Sequence, residues 1–247
     1  MKKQTGYLLT MLVVLALATL ACSIDFNSTK TVQGEGDLVE ESRQVDGFNK
    51  IEINGMGEII VELGTEESLT VEAEENLVQY LETYVRGSSL VIEIEDGITI
   101  VPTKSLTFYV TVVSLEGLAI SGAGNVQLPE LEADRFSIDL SGAGNIEIDS
   151  LNADSFDVSM SGVGNLNVFD GQVSSQDVTI SGAGKYSARN LESDDAAITI
   201  SGLGSATLRA ENYLNVTISG GGDVSYYGNP DVDSDISGLG DLDRLGD

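Results

Sequence analysis

"LSGAGNIEI", Leu140–Ile148, decides how this chain folds, because the chain restates it at a fixed interval. "ISGAGNVQL" at Ile120–Leu128 stands 20 residues before it, and "MSGVGNLNV" at Met160–Val168 stands 20 residues after. The full series of aliphatic-Ser-Gly-x-Gly units begins at Ile120, Leu140, Met160, Ile180, Ile200, Ile218 and Ile236, with spacings of 20, 20, 20, 20, 18 and 18. "INGMG" at Ile53–Gly57 is a degenerate earlier copy. A regular period of this length is the signature of a repeat architecture.

Within each unit apolar residues recur at every second position, the spacing of a strand. Phe136, Ile138 and Leu140 lead into one glycine pair, and Ile146 and Ile148 lead out of it. A further apolar position recurs at Leu131, Leu151 and Leu191. Two short strands with one apolar face cannot bury that face alone, so copies must stack on one another. The segments are too short for crossover helices. The expectation is an all-β chain wound as a parallel β-solenoid of 18–20 residues per coil. At about 4.8 Å per stacked strand, seven coils rise roughly 34 Å. Leu118, Ile138, Val158, Val178, Ile198 and Val216 should form one inward row, with Thr179, Thr199 and Thr217 as an outward hydroxyl row.

The glycines themselves invite a phosphate-loop reading, which the surroundings reject. Phosphate loops lead from a strand into a helix, whereas each Ser-Gly-x-Gly here leads from strand to strand. The pairs Gly122/Gly124, Gly142/Gly144, Gly162/Gly164, Gly182/Gly184, Gly202/Gly204, Gly220/Gly222 and Gly238/Gly240 are therefore read as structural turns. They are expected to supply positive φ and room for stacked corners. Asn125, Asn145 and Asn165 follow three of the pairs, where asparagine can hydrogen-bond a neighbouring backbone. Calcium-binding coils need an Asp in a nine-residue rhythm, and Lys185 interrupts the corresponding row here. No metal and no cofactor are expected.

Composition narrows the chemistry. The 247 residues include no histidine and one cysteine, which excludes Ser-His-Asp and Cys-His relays, histidine-ligated zinc and an intrachain disulfide. The net charge of −28 repels nucleic acid, so no nucleic-acid partner is expected.

The N-terminus reads as an export signal. Lys2 and Lys3 precede an apolar run from Leu8 to Leu20, too short and wrongly flanked for a stable membrane span. The single cysteine, Cys22, follows "TLA", which resembles the lipobox of bacterial lipoproteins; Thr19 departs from the aliphatic residue usual at that place. The resemblance implies cleavage before Cys22 and lipidation of its sulfur, giving a membrane partner through the anchor. Each buried methylene of such a chain contributes about 0.8 kcal/mol. Residues 1–22 are thus a signal peptide, residues 23–43 a polar flexible tether and residues 44–247 the folded domain, its first part (44–117) unrepeated.

In that first part Leu77, Leu81 and Tyr84 fall at i, i+4 and i+7, which predicts one short helix ending at Gly87. The order of elements here, "SRQVDGFNKIEINGMGEIIVELG", "LTVEAEENLVQYLETYVRGSSLVIEIE", "LTFYVTV" and then serial "SGAGN" copies, resembles the auto-transporter adhesin head GIN domain family. The resemblance runs from Gln44 to the C-terminus. It implies a right-handed β-helix on a secreted or lipid-anchored bacterial protein, and it carries no catalytic residues over. The terminal "SGLGDLDRLGD" departs from it by stopping mid-coil.

The function expected from these features is a non-catalytic, lipid-anchored, extracytoplasmic module that binds an unknown surface glycan or protein. Asp139, Asp157 and Asp177, with Thr179, Thr199 and Thr217, are the candidate polar face. Two other readings start from the same sequence. A partner protein of the envelope needs no external ligand. A polysaccharide-active enzyme would use a carboxylate pair such as Asp139 and Asp157. Asp231, Asp233, Asp235, Asp241 and Asp243 would discourage end-to-end stacking of copies.

Overall fold

Each 20-residue coil has three sides, and the phase of burial shows where they meet. In the coil after Leu140, Ile146 and Ile148 point inward; the phase then slips, so that Leu151 is buried and Ala153 half-buried. It slips again before Phe156, Val158 and Met160, all buried. Two corners therefore fall at residues 149–150 and 154–155, and the Ser-Gly pair makes the third.

The computed structural model describes residues 29–246. They are 68% strand and 1% helix, stacked as parallel coils in a β-solenoid of about six turns. Successive coils pair residue for residue: Val126 with Ile146, Phe136 with Phe156, Leu140 with Met160. The expected inward row stacks in that order from Leu118 to Val216, no member more than 4% exposed. Each such aliphatic side chain contributes about 1.5–3 kcal/mol by leaving water. Phe136 and Phe156 stack with ring centroids 5.9 Å apart.

The change from 20 to 18 residues per coil removes most of one side. Ala188 pairs with Leu208 and Asp195 with Tyr213, so the later coil crosses the same span with two residues fewer. The column Ala133, Ala153, Val173, Ser193 ends there. A buried polar cluster fills the step. Gln176, in register above Phe156, donates to the Ser193 hydroxyl (2.8 Å) and to the Arg209 carbonyl (3.1 Å). Ser193 also donates to that carbonyl (2.6 Å), and the Tyr186 hydroxyl donates to the Gln176 carbonyl oxygen (2.8 Å). Tyr186, Gln176 and Ser193 are all buried. The carbonyl that the lost side would have covered thus finds side-chain donors instead.

Order in space departs from order in the chain at the bottom of the solenoid. Strands Lys50–Ile53 and Met56–Leu63 lie directly beneath Gly117–Ile120 and Ala123–Leu140. Beneath them lie Ser89–Ile94 and Thr107–Val112, which come later in sequence. The chain lays down one level, descends to build the level below, then passes the first to continue upward. Antiparallel strands cover the lower edges: Leu81–Arg86 against Ser89–Ile94, Ser68–Glu74 against Thr107–Val112, and Leu38–Arg43 outside that.

Two expectations change here. The helix over Leu77–Tyr84 is a single 3-10 turn, Val78–Tyr80, followed by the strand Leu81–Arg86. Leu81, Thr83 and Val85 alternate with exposed Glu82, Tyr84 and Arg86, and pairing with Ser89–Ile94 satisfies the backbone that a helix would have used internally. The segment 30–43, read as tether, forms strands Lys30–Gln33 and Leu38–Arg43. The first pairs in parallel with Ile98–Val101. It is held further by Asn76 Nδ2 on the Gln33 carbonyl (2.7 Å) and Lys104 Nζ on the Gly36 carbonyl (2.8 Å). At the far end, Asp231–Ile236 and Leu242–Gly246 continue the two ladders through the acidic tail. Residues 1–28, with Cys22 and the segment read as a signal peptide, lie outside the described residues.

Candidate functional site

The Ser-Gly-x-Gly corner is built the same way in every unit. One carbonyl of the coil below accepts both the Ser and the first Gly N–H; Ile120 O takes Ser141 N at 2.9 Å and Gly142 N at 3.0 Å. The next N–H, Ala143, donates to Gly122 O, the first glycine of that coil (2.9 Å). The glycine carbonyl is thereby drawn over the Cα above it. A Cβ on Gly142 would overlap Gly122 O, and Gly162, Gly182, Gly202, Gly220 and Gly238 meet the equivalent oxygen; at Gly122 the oxygen is Gly55 O.

The expected positive φ is absent. None of the fourteen repeat glycines adopts it; among the described residues it occurs at glycines elsewhere, such as Gly171 and Gly228. Close approach of stacked backbones, not left-handed geometry, demands glycine here. The second glycines lie within the following strand at Gly124, Gly144, Gly164 and Gly184 and just before it at Gly204, Gly222 and Gly240, and by what a Cβ would meet they fall into two groups. Gly144, Gly164, Gly222 and Gly240 also have a backbone oxygen in the way of a Cβ, and at Gly204 it meets both Ile180 and Gly184 O. At Gly124 the nearest atom is 3.4 Å off, and at Gly184 it is the flexible end of Met160, 2.7 Å off.

Beside the corner the asparagines hydrogen-bond one another, Asn145 Nδ2 to Asn125 Oδ1 (3.0 Å) and Asn165 Nδ2 to Asn145 Oδ1 (2.8 Å). The x residues of the same corners project outward, Val163, Leu203 and Leu239 being 61%, 77% and 95% exposed.

The candidate polar face lies on another side. Register brings Asp157 beside Asp177, and Thr179, Thr199 and Thr217 into one row. Asp139 is not in the aspartate row; it pairs with Ser159, which pairs with Thr179. The two outward rows border a groove of about 510 Å³ whose floor opens where Gly117 and Ala119 have little side chain. Lys50 and Glu52 close one end, and Arg86 holds Glu52 at 2.7 Å. Partial burial, and then the neighbouring Asp157 charge, push the Asp177 carboxyl above its ordinary range. Among the described residues Asp157 has one cation near it, Arg135 Nε at 3.9 Å. Among the described residues no cluster of three or more His, Cys, Asp or Glu is placed to hold a metal ion.

A family model described as "Putative auto-transporter adhesin, head GIN domain" matches residues 47–230. The chain belongs to this family. Solved structures share its fold. A putative adhesin from Bacteroides fragilis superposes with a TM-score of 0.82 at 24% identity, over 87% of this chain and all of that one. A putative adhesin from Parabacteroides merdae (TM-score 0.69, 20% identity) covers 87% of this chain and 99% of its own. A putative lipid binding protein from Parabacteroides distasonis (0.68, 20%) covers 87% and 100%. No curated protein matches the sequence.

One further feature of this chain escapes motif reading. The fifth residue after each second glycine is Phe169, Arg189, Arg209 and Tyr227 in four consecutive units. Both guanidiniums face the Tyr227 ring, at 5.4 Å and 5.7 Å from its centroid. The signal was periodic position rather than residue type.

Proposed function

We propose that this head GIN protein is a non-catalytic binding module of the bacterial cell surface, anchored through lipid on Cys22. The observation that carries it is the array itself: outward side chains of successive coils stand in fixed register on a hydrogen-bonded frame. Such a frame presents many weak contacts along one line with little conformational entropy to lose on binding. Family membership and the adhesin-named solved relatives support the same reading. The ligand is a surface glycan or protein; the −28 charge disfavours nucleic acid. The groove lined by Asp139, Asp157 and Asp177 serves here as a recognition surface rather than as the site of a hydrolytic Asp139–Asp157 pair.

Protease shaving of intact cells, followed by crosslinking, tests this. The domain should be cut from intact cells and should crosslink to molecules outside the envelope, and Cys22→Ser should release it from the membrane fraction. Protection from protease, with crosslinks confined to envelope proteins, would replace the module with an internal envelope partner.

A further inference from the structure

We propose that the column Phe169, Arg189, Arg209, Tyr227 binds a glycan through an isolated carboxylate, such as that of a uronic acid residue. The proposal rests on the binding-module reading and names its ligand class.

Cations are scarce on this chain, 12 Lys and Arg against 40 Asp and Glu, yet two arginines of consecutive coils converge on one tyrosine. Like charges so placed repel unless each has a counter-charge. Arg209 has one, Glu211 at 3.2 Å, and only 24% of its side chain is exposed. Arg189 is exposed and, among the described residues, has neither a hydrogen bond nor an ion pair; the Tyr227 face is its one charge-sensitive contact. A planar guanidinium with unused donors in a fixed fork matches a carboxylate through two parallel hydrogen bonds. The Tyr227 ring that it faces orients it, and Arg209 adds a second positive charge without losing Glu211.

The flanking aromatics point to a sugar. Phe169 is 49% exposed at the lower end of the column, and Tyr227 stands half-buried at the upper end. Three coil spacings separate them, about 14 Å, so one side chain cannot touch both while a short run of sugar rings can. The amphipathic rings accept the apolar face of a sugar and leave its hydroxyls in water. An extended peptide gains less, because the strands beneath this column already use their backbone groups in the coil ladders and offer no free edge. Overall charge sets the charge density of the ligand. A polyanion meets the field of the whole −28 surface, whereas a single carboxylate in a neutral glycan meets chiefly the local guanidiniums at physiological ionic strength.

Calorimetric or NMR titration of the folded chain with four probes tests this. The probes are an oligosaccharide with one glucuronate, its glucose counterpart, a heparin oligosaccharide and an acidic peptide. The glucuronate probe should bind at least about tenfold more tightly than the other three. Arg189→Gln should bring it down to the level of the glucose probe with the melting temperature unchanged, and Tyr227→Leu should weaken both sugars. Equal binding of glucuronate and glucose probes, tighter binding of heparin or peptide, no binding at all, or indifference to Arg189→Gln overturns the assignment. Such a failure in a protein that is still shaved from intact cells removes this ligand alone; protection from shaving removes the parent reading.

Discussion

The repeated coils and the bottom of the solenoid use the same parallel ladder but hold it in place by different means. Above Ile120 each level repeats the one beneath, so a single corner chemistry serves seven times, and every first glycine lies against the carbonyl of its predecessor. Below, the levels are stacked out of chain order, and individual side chains do the fastening: Asn76 on Gln33, Lys104 on Gly36, Thr103 on Glu74. Redundant backbone contact makes the first region uniform and intolerant of bulk. Single polar contacts make the second region irregular and sensitive to conditions.

The sharpest way to break the comparison is to add a side chain inside the repeat. Gly142→Val drives a Cβ into Gly122 O and Ser121, both backbone, and should cost about 3 kcal/mol or more. Gly184→Ala meets the flexible end of Met160 and, at 3.3 Å, the Gly164 carbonyl oxygen, and should cost about 1 kcal/mol or less. Denaturant unfolding of the two variants measures the gap. Equal losses would mean that stacked carbonyls do not set the glycine requirement.

The step between the two coil lengths comes next. Ser193→Ala takes one donor from the Arg209 carbonyl, while Gln176→Leu also strands the Tyr186 hydroxyl in the core. Losses of about 1–3 kcal/mol are expected, larger for Gln176→Leu. The double variant should lose less than the sum, since both side chains serve one carbonyl. Strict additivity in a double-mutant cycle would show that they act independently.

At the bottom the effect is local and depends on pH. Glu74 is 1% exposed, and hydrogen bonds from Thr103, above all its hydroxyl, hold its carboxyl below the ordinary range. The folded state therefore binds fewer protons than the unfolded state across that interval. Its stabilisation is full above the ordinary carboxylate pKa of about 4 and fades as pH falls through the depressed value. Acid should lower amide protection factors, taken against the intrinsic exchange rate at each pH, at residues 30–36 and 103–104 ahead of the repeats, and Glu74→Gln should abolish that pH dependence. A uniform acid response along the chain would rule out a separately fastened bottom.

The sequence carried the repeat in full view because its period, its alternation and its inward row from Leu118 to Val216 are all local patterns. It misled at the corners, where glycine content cannot distinguish positive φ from close approach; only the position of Gly122 O above Gly142 separates them. It misled at Leu77–Tyr84, where an i, i+4, i+7 pattern came from one tight turn running into a strand. The strand Lys30–Gln33 was hidden for another reason. Four residues carry little pattern, and what orders them is Ile98–Val101, nearly 70 residues away. Of the candidate face, the pairing of Asp157 with Asp177 followed from the period, while the convergence of Arg189 and Arg209 on Tyr227 needed side-chain geometry.

The finest contrast lies on the polar face, where the repeat sets like charges against each other. Asp177 stands in register with Asp157, and its carboxyl is raised first by partial desolvation and then by that neighbour. The folded state here binds more protons than the unfolded state, so stability falls as pH climbs from the ordinary aspartate range through the raised value, and the full cost is present above it. Both groups are substantially exposed to solvent, which limits the effect to about 0.5 kcal/mol. Asp177→Asn should therefore be slightly stabilising at neutral pH and indistinguishable from the parent in acid, the reverse of Glu74→Gln. If Asp177→Asn destabilises at neutral pH, the aspartate row is a fastening of the fold rather than a surface held at a small cost to it, and its role in recognition loses that support.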